Sequence, residues 1–222
     1  MVGVSAIFAL ALQKYMEKKR IQELDTYAQD NHYKYFEKPE DSLLERFDDF
    51  KSFKWISSER LFNMLVTDAE DKNPDIITAK KNESGNHNVV RYTQVFFFKL
   101  DKDIPRFFIK EKNFFEKNIY GLDTRIKKSL ELTSFSSIKF KHKPFPAKNY
   151  FCFAEGDGFE DFISIDFINL LNTGIEKGKK KINIESDGKS LIFFVYNKRH
   201  SKEDIDYYKN LFSALKNSIL AI

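Results

Sequence analysis

Residues 2–12, VGVSAIFALAL, form the one uninterrupted apolar block in the chain, and a basic run, residues 13–20, follows it on one side only. Any fold has to place that block out of water. A helix that spans a bilayer takes about 20 mostly apolar residues, and this block supplies roughly half of that. Tyr15 and Met16 extend the stripe, but only past Gln13 and Lys14. Lys14 and Lys18 can snorkel, stretching their stems so that the ammonium groups reach lipid headgroups. Three readings fit: a short membrane anchor, a buried or interfacial helix, and a cleaved secretory signal. A signal takes positive charge ahead of its apolar block, and none precedes Lys14. A half-buried helix needs one apolar face, whereas Val4, Ile7, Phe8 and residues 10–12 cover the whole circumference. The anchor is therefore the expectation. Lys14, Lys18, Lys19 and Arg20 then place the rest of the chain on the cytoplasmic side of the inner membrane, as a single-pass protein.

Composition limits the remainder. The 222 residues, 42% hydrophobic with 24 Phe, suffice for a sizeable core, and 32% charged residues rule out further spans. The net charge of +4 is mild, and Lys is scattered among Asp and Glu; a nucleic-acid binder concentrates its cations on one face. Cys152 is alone, which excludes an internal disulfide and agrees with a reducing compartment.

Periodicity predicts an α+β chain in three parts: an N-terminal membrane and amphipathic helix over 1–30, a strand-rich antiparallel lobe over 31–132, and a C-terminal lobe over 133–222. Ile21, Leu24 and Ala28 continue the anchor as an amphipathic helix to residue 30, with Asn31 as its C-cap. Tyr33, Tyr35 and Phe36 read as a short strand, and Asp41 as the cap of a helix over 42–50. From residue 53 the period becomes two, giving strands over 60–67, 75–80, 89–100 and 104–110 joined as a meander. Val95, Phe96, Phe97 and Phe98 are apolar on both faces, so that strand should be central and covered twice. Helical pieces come next over 113–132, broken near Gly121.

The C-terminal lobe reads β-α-β-β-α, a sandwich with helices on one face of its sheet. Its strands fall at 138–141 and 149–154, then a helix over 159–171 capped by Asp157. A hairpin of 181–185 and 191–197 turns at Asp187-Gly188, the strongest turn signal present. Ser201 caps a last helix over 202–220, with Ile205, Tyr208, Phe212, Leu215 and Ile219 on one side.

The anchor with its basic flank, Leu43-Leu44-Glu45-Arg46-Phe47 with Phe50, Pro105-Arg106-Phe107, and the strand-helix unit over 150–171 carry a resemblance. Their order resembles a group of bacterial membrane proteins with one N-terminal anchor helix and a cytoplasmic α+β domain of unknown function. The likeness spreads over nearly the whole chain at the level of spacing. It implies an address and a fold, and it transfers no catalytic residue. The apolar block here is shorter than the group's.

No chemical signature competes with that address. His32, His87, His142 and His200 are far apart and lack partners at helical spacing, so they read as solvated loop residues, and neither a metal nor a cofactor is expected. The acidic loop Asp68, Glu70, Asp71 and Asp75 fails as an EF-hand, having Asn73 sixth and Ala79 twelfth, and reads as a solvated turn. Gly156-Asp157-Gly158 lacks the rest of any phosphate-binding motif and reads as helix capping. Cys152, between Phe151 and Phe153, reads as a buried, inert thiol, and no GxSxG elbow exists. The densest basic cluster, Lys177, Lys179, Lys180 and Lys181, offers lipid-headgroup contact as a minor reading.

The expectation is thus a membrane-tethered cytoplasmic interaction or scaffold protein, not an enzyme. Its partners are the membrane, through the N-terminal helix, and a protein; nucleic acid is not among them. The competing readings are an enzyme of unrecognised class, with its site between the lobes, and a peripheral lipid-binding module.

Overall fold

The chain's most apolar strands set the centre of its sheet. The computed structural model describes residues 2–56, 61–68, 73–83, 89–112, 122–140, 144–176, 182–196 and 201–220. Its strands are β1 (Tyr33–Phe36), β2 (Leu61–Thr67), β3 (Asp75–Glu83), β4 (Val89–Lys99), β5 (Phe107–Glu111), β6 (Phe135–Ser137), β7 (Tyr150–Glu155), β8 (Ile182–Ser186) and β9 (Ser190–Tyr196). They join one antiparallel sheet in the order β1-β2-β3-β4-β9-β8-β5-β7-β6.

One antiparallel sheet in an α+β fold stands where a meander lobe and a separate sandwich lobe were expected. The meander holds from β1 to β4. There the C-terminal hairpin β8–β9 inserts, and β5 crosses beyond it to lie between β8 and β7. The physical reason is that β4 and β9 are both apolar on both faces. Paired with each other, with Val95 opposite Phe194 and Phe96 opposite Phe193, they bury both faces at the middle of the sheet. The connection over 100–106 passes the hairpin's tip, where Leu100 N–H donates to Lys189 O at 3.0 Å and Ile104 N–H to Gly188 O at 2.8 Å. Gly188 has φ 105°, and an added Cβ there would stand 3.4 Å from Arg106 Cγ.

Helices cover both faces, a correction to the one-faced sandwich. On one face lie α1 (Val2–Asp30), α5 (Phe159–Phe162), α6 (Ile165–Glu176) and α7 (Lys202–Leu220). Leu24, Tyr27 and Ala28 of α1, Phe167, Ile168 and Leu171 of α6, and Ile205, Tyr208, Phe212, Leu215 and Ile219 of α7 pack there with Phe96, Phe98 and Phe193. Phe212 is the keystone, with ring centroids 4.8 Å from Phe193 and 4.9 Å from Phe96. On the other face lie α2 (Asp41–Leu44), a 3-10 turn (Glu45–Phe47), α3 (Lys51–Ile56) and α4 (Leu122–Ser129). Phe47 packs against Phe53 at 4.3 Å and edge-on to Phe97 at 5.2 Å. Each such phenyl ring, fully buried, contributes about 2 kcal/mol of transfer free energy.

Caps decide where the helices differ from their sequence reading. Ser201 and Asp204 form a capping box at the start of α7, as expected. Asn31 closes α1 through its side-chain amide on Tyr27 O, but the left-handed residue is His32, at φ 59°. Glu40 takes the place expected of Asp41, and the helix expected over 42–50 is only α2 and the 3-10 turn, with α3 starting beyond it at Lys51. Gly158, at φ 83°, takes the position expected of Asp157. The helix expected over 159–171 divides because Ser164 Oγ accepts from Phe167 N–H at 3.0 Å, starting α6 anew. The strand expected at 138–141 falls at β6 instead.

The N-terminal helix is continuous from Val2 to Asp30, as its sequence predicts, yet among the described residues no helix is long and apolar enough to cross a membrane. The single-pass reading of residues 2–12 is therefore not supported: the helix turns polar at Gln13 and Lys14, well short of a bilayer's thickness.

Candidate functional site

α1 divides into a rooted half and a projecting half. Leu24, Tyr27 and Ala28 root it in the core. Tyr27 Oη donates to Asp206 Oδ1 of α7 at 2.7 Å, and the Tyr27 and Tyr33 rings stack at 6.3 Å. Burial, then the bond to Asp206, pushes the Tyr27 phenol far above its ordinary pKa, so it stays a donor. Lys202 of α7 pairs with Asp30 at 3.6 Å. Toward the N-terminus the described side chains turn to solvent. Phe8, Leu12, Tyr15 and Met16 are 71%, 51%, 64% and 55% exposed, and Ala11, Lys14, Lys18 and Lys19 are exposed too. Residues 2–19 make an arm of about 27 Å at 1.5 Å per residue.

The four expected membrane-proximal cations separate. Lys14, Lys18 and Lys19 lie on the arm in solvent, and Lys19 reaches Glu23 at 4.0 Å. Arg20 is only 9% exposed and belongs to the root. Lys177, Lys179, Lys180 and Lys181 lie outside the described residues, as do His87, His142 and His200. His32 is exposed, as expected of a solvated residue.

A second locus lies on the sheet face under α2 and α3. Asp75, Phe97, Ile192, Glu185 and Phe108 stand opposite one another across β3, β4, β9, β8 and β5, forming one transverse row. Asp75 is 2% exposed: Arg46 Nη1 donates to its Oδ2, and Thr67 N–H donates to its Oδ1 at 2.8 Å. The acidic loop is thus not wholly a solvated turn, because Asp75 faces the interior; Asp68 pairs outside with Lys34 at 2.8 Å. Glu185 is 3% exposed and caps α3, accepting from Lys51 N–H at 2.7 Å, Ser52 N–H at 2.9 Å and the Ser52 hydroxyl. Burial raises its pKa, and the three bonds from Ser52 and Lys51 oppose the rise.

Beside this row opens a cleft of about 760 Å³ between residues 42–49, 97–103 and 187–190. Its rim carries Arg46, Lys99, Lys102 and Lys189 with Glu45, Asp49, Asp101, Asp103 and Asp187. Several of these groups are already engaged with the fold. Arg46 is held by Asp75 and lies 5.7 Å from the centre of the Phe97 ring, and Lys102 donates to Leu220 O at 2.6 Å. Asp187 Oδ1 accepts from Lys189 and Ser190 N–H at 2.8 and 2.7 Å. Burial raises the Asp187 pKa, against those two amide bonds. The cleft therefore presents charges of both signs and no converging acid–base pair.

Cys152 is buried on β7, and burial pushes its thiol well above the ordinary range. Among the described residues no group of three or more His, Cys, Asp or Glu side chains is placed to hold a metal. The row of buried carboxylates escaped sequence reading because Asp75 and Glu185 alternate with apolar residues and so read as solvent-facing. The detectable signal was the doubly apolar β4, which already required cover on both faces. No family model, curated protein or solved structure matches the chain.

Proposed function

We propose that the protein is an interaction module held at a membrane by the projecting half of α1, with its sheet domain on the cytoplasmic side of the inner membrane. The observation that carries this reading is the arm's exposure: four large apolar side chains stand in solvent on a helix whose described side chains join the core only from Arg20 onward. An isolated helix of this length is marginal in water, because helices draw most of their stability from packing an apolar face. A lipid interface supplies that packing. The apolar residues enter the boundary between headgroups and acyl chains while the lysines stay among the headgroups. The arm is seated in the membrane surface and does not cross it. The basic flank selects the cytoplasmic face. The sheet domain then serves as a scaffold for a protein partner.

Fractionation of cells expressing the full chain tests this. The account expects the protein in the membrane pellet at physiological ionic strength, and a chain lacking residues 2–16 in the supernatant. Equal distribution of the two forms overturns it.

A further inference from the structure

We infer that the surface this arm recognises is an anionic lipid headgroup layer, an inference that rests on the membrane-held reading above. At about 100° per residue, Phe8, Leu12, Tyr15 and Met16 share an arc of roughly 100° on the arm. Lys18 flanks that arc, about 60° from Tyr15, whereas Lys14, about 100° from Tyr15, lies on the far side of the helix. Lys19 lies in line with it at the end nearest the body. All three lysines are exposed, and Lys14 and Lys18 make no ion pair among the described residues. Lys19 has only the exposed contact with Glu23 at 4.0 Å, which water and salt screen.

The only acid on the exposed stretch is Glu17, which helical geometry places about 180° from Phe8, away from the lipid side. A helix seated on its apolar arc therefore presents Lys18 and Lys19 at headgroup level, while Glu17 and Lys14 lie on the side turned to water. Arg20, buried at the root, adds nothing to that layer. Near an anionic surface each lysine strengthens partition about five-fold, so Lys18 and Lys19 together amount to on the order of 30-fold. The arm's apolar residues give the weaker, charge-blind part of binding.

Co-sedimentation of the full chain with phosphatidylcholine vesicles, and with an equal mixture of phosphatidylcholine and phosphatidylglycerol, tests the inference. The expected result is strong binding to the mixed vesicles, weak binding to the neutral ones, and a preference that falls with added salt. In the double variant K18Q/K19Q the preference falls by on the order of 30-fold, with thermal unfolding unchanged because these side chains lie outside the core. Equal binding to both vesicle types overturns the anionic preference and leaves the membrane-held reading standing. Binding to neither type overturns both. So does an arm-dependent dimer that ignores vesicles, since it would show a second copy of the chain to be the arm's partner.

Discussion

Asp75 on β3 and Glu185 on β8 stand in the same row of the sheet, separated by Phe97 and Ile192, and they grip the 3-10 turn and the start of α3 respectively. Asp75 takes Arg46 and Glu185 takes the amides of Lys51 and Ser52. Between those two grips Phe47 settles edge-on to Phe97. Buried carboxylates here orient a cover over an apolar strand, and they act on the fold before any chemistry.

Glu185 makes stability fall with pH in a window that can be measured. Its folded-state pKa lies above its ordinary value. In the unfolded chain the group therefore ionises first, and stability present below the ordinary carboxylate range is lost as pH rises through the folded pKa. The unfolding free energy of the wild type minus that of Glu185→Gln should be largest in acid and shrink as pH rises. A difference that grows over that range contradicts the assignment.

Asp75 and Arg46 should be energetically coupled. Asp75→Asn keeps an acceptor for Thr67 N–H and removes the charge; Arg46→Met removes the cation beside Phe97. In a double-mutant cycle by urea unfolding the coupling should be about 1–2 kcal/mol, moderated because Arg46 is partly exposed. Additive single effects would show that the pair contributes nothing beyond its separate parts.

Phenylalanines on the arm and in the core should differ sharply. Phe47→Ala opens a void under the cover segment and should cost about 3–5 kcal/mol. Phe8→Ala, on a side chain 71% exposed, should change lipid-free stability by less than about 0.5 kcal/mol. A similar loss for both would mean that the arm packs on the body.

Cys152 should be silent toward thiol reagents in the folded protein. It is buried on a strand flanked by β5 and β6, and its thiolate is disfavoured. Labelling should proceed only at the rate of unfolding; reaction at the rate of an exposed thiol contradicts this placement.

Local pattern made much of this fold readable. The α7 stripe with its Ser201 cap, the Asp187-Gly188 hairpin and the central place of Val95–Phe98 all arise from signals within a few residues of one another. Strand order did not, because the insertion of β8–β9 beside β4 joins segments about 100 residues apart. Nothing in either segment names its partner except shared apolarity on both faces. The site was half legible. Residues 2–12 announce an apolar arm, but only the three-dimensional arrangement shows that Arg20 belongs to its root and that Asp75 and Glu185 point inward.

The most direct measurement tracks one position on the arm. Because Cys152 is buried, a single polarity-sensitive fluorophore can be attached at Leu12→Cys and, as a reference, at the exposed Asp157→Cys on the body. On adding mixed phosphatidylcholine–phosphatidylglycerol vesicles, the probe at position 12 should shift to the blue as it leaves water, while the probe at 157 stays unchanged. Emission at position 12 that does not move would contradict the claim that this arm seats in lipid.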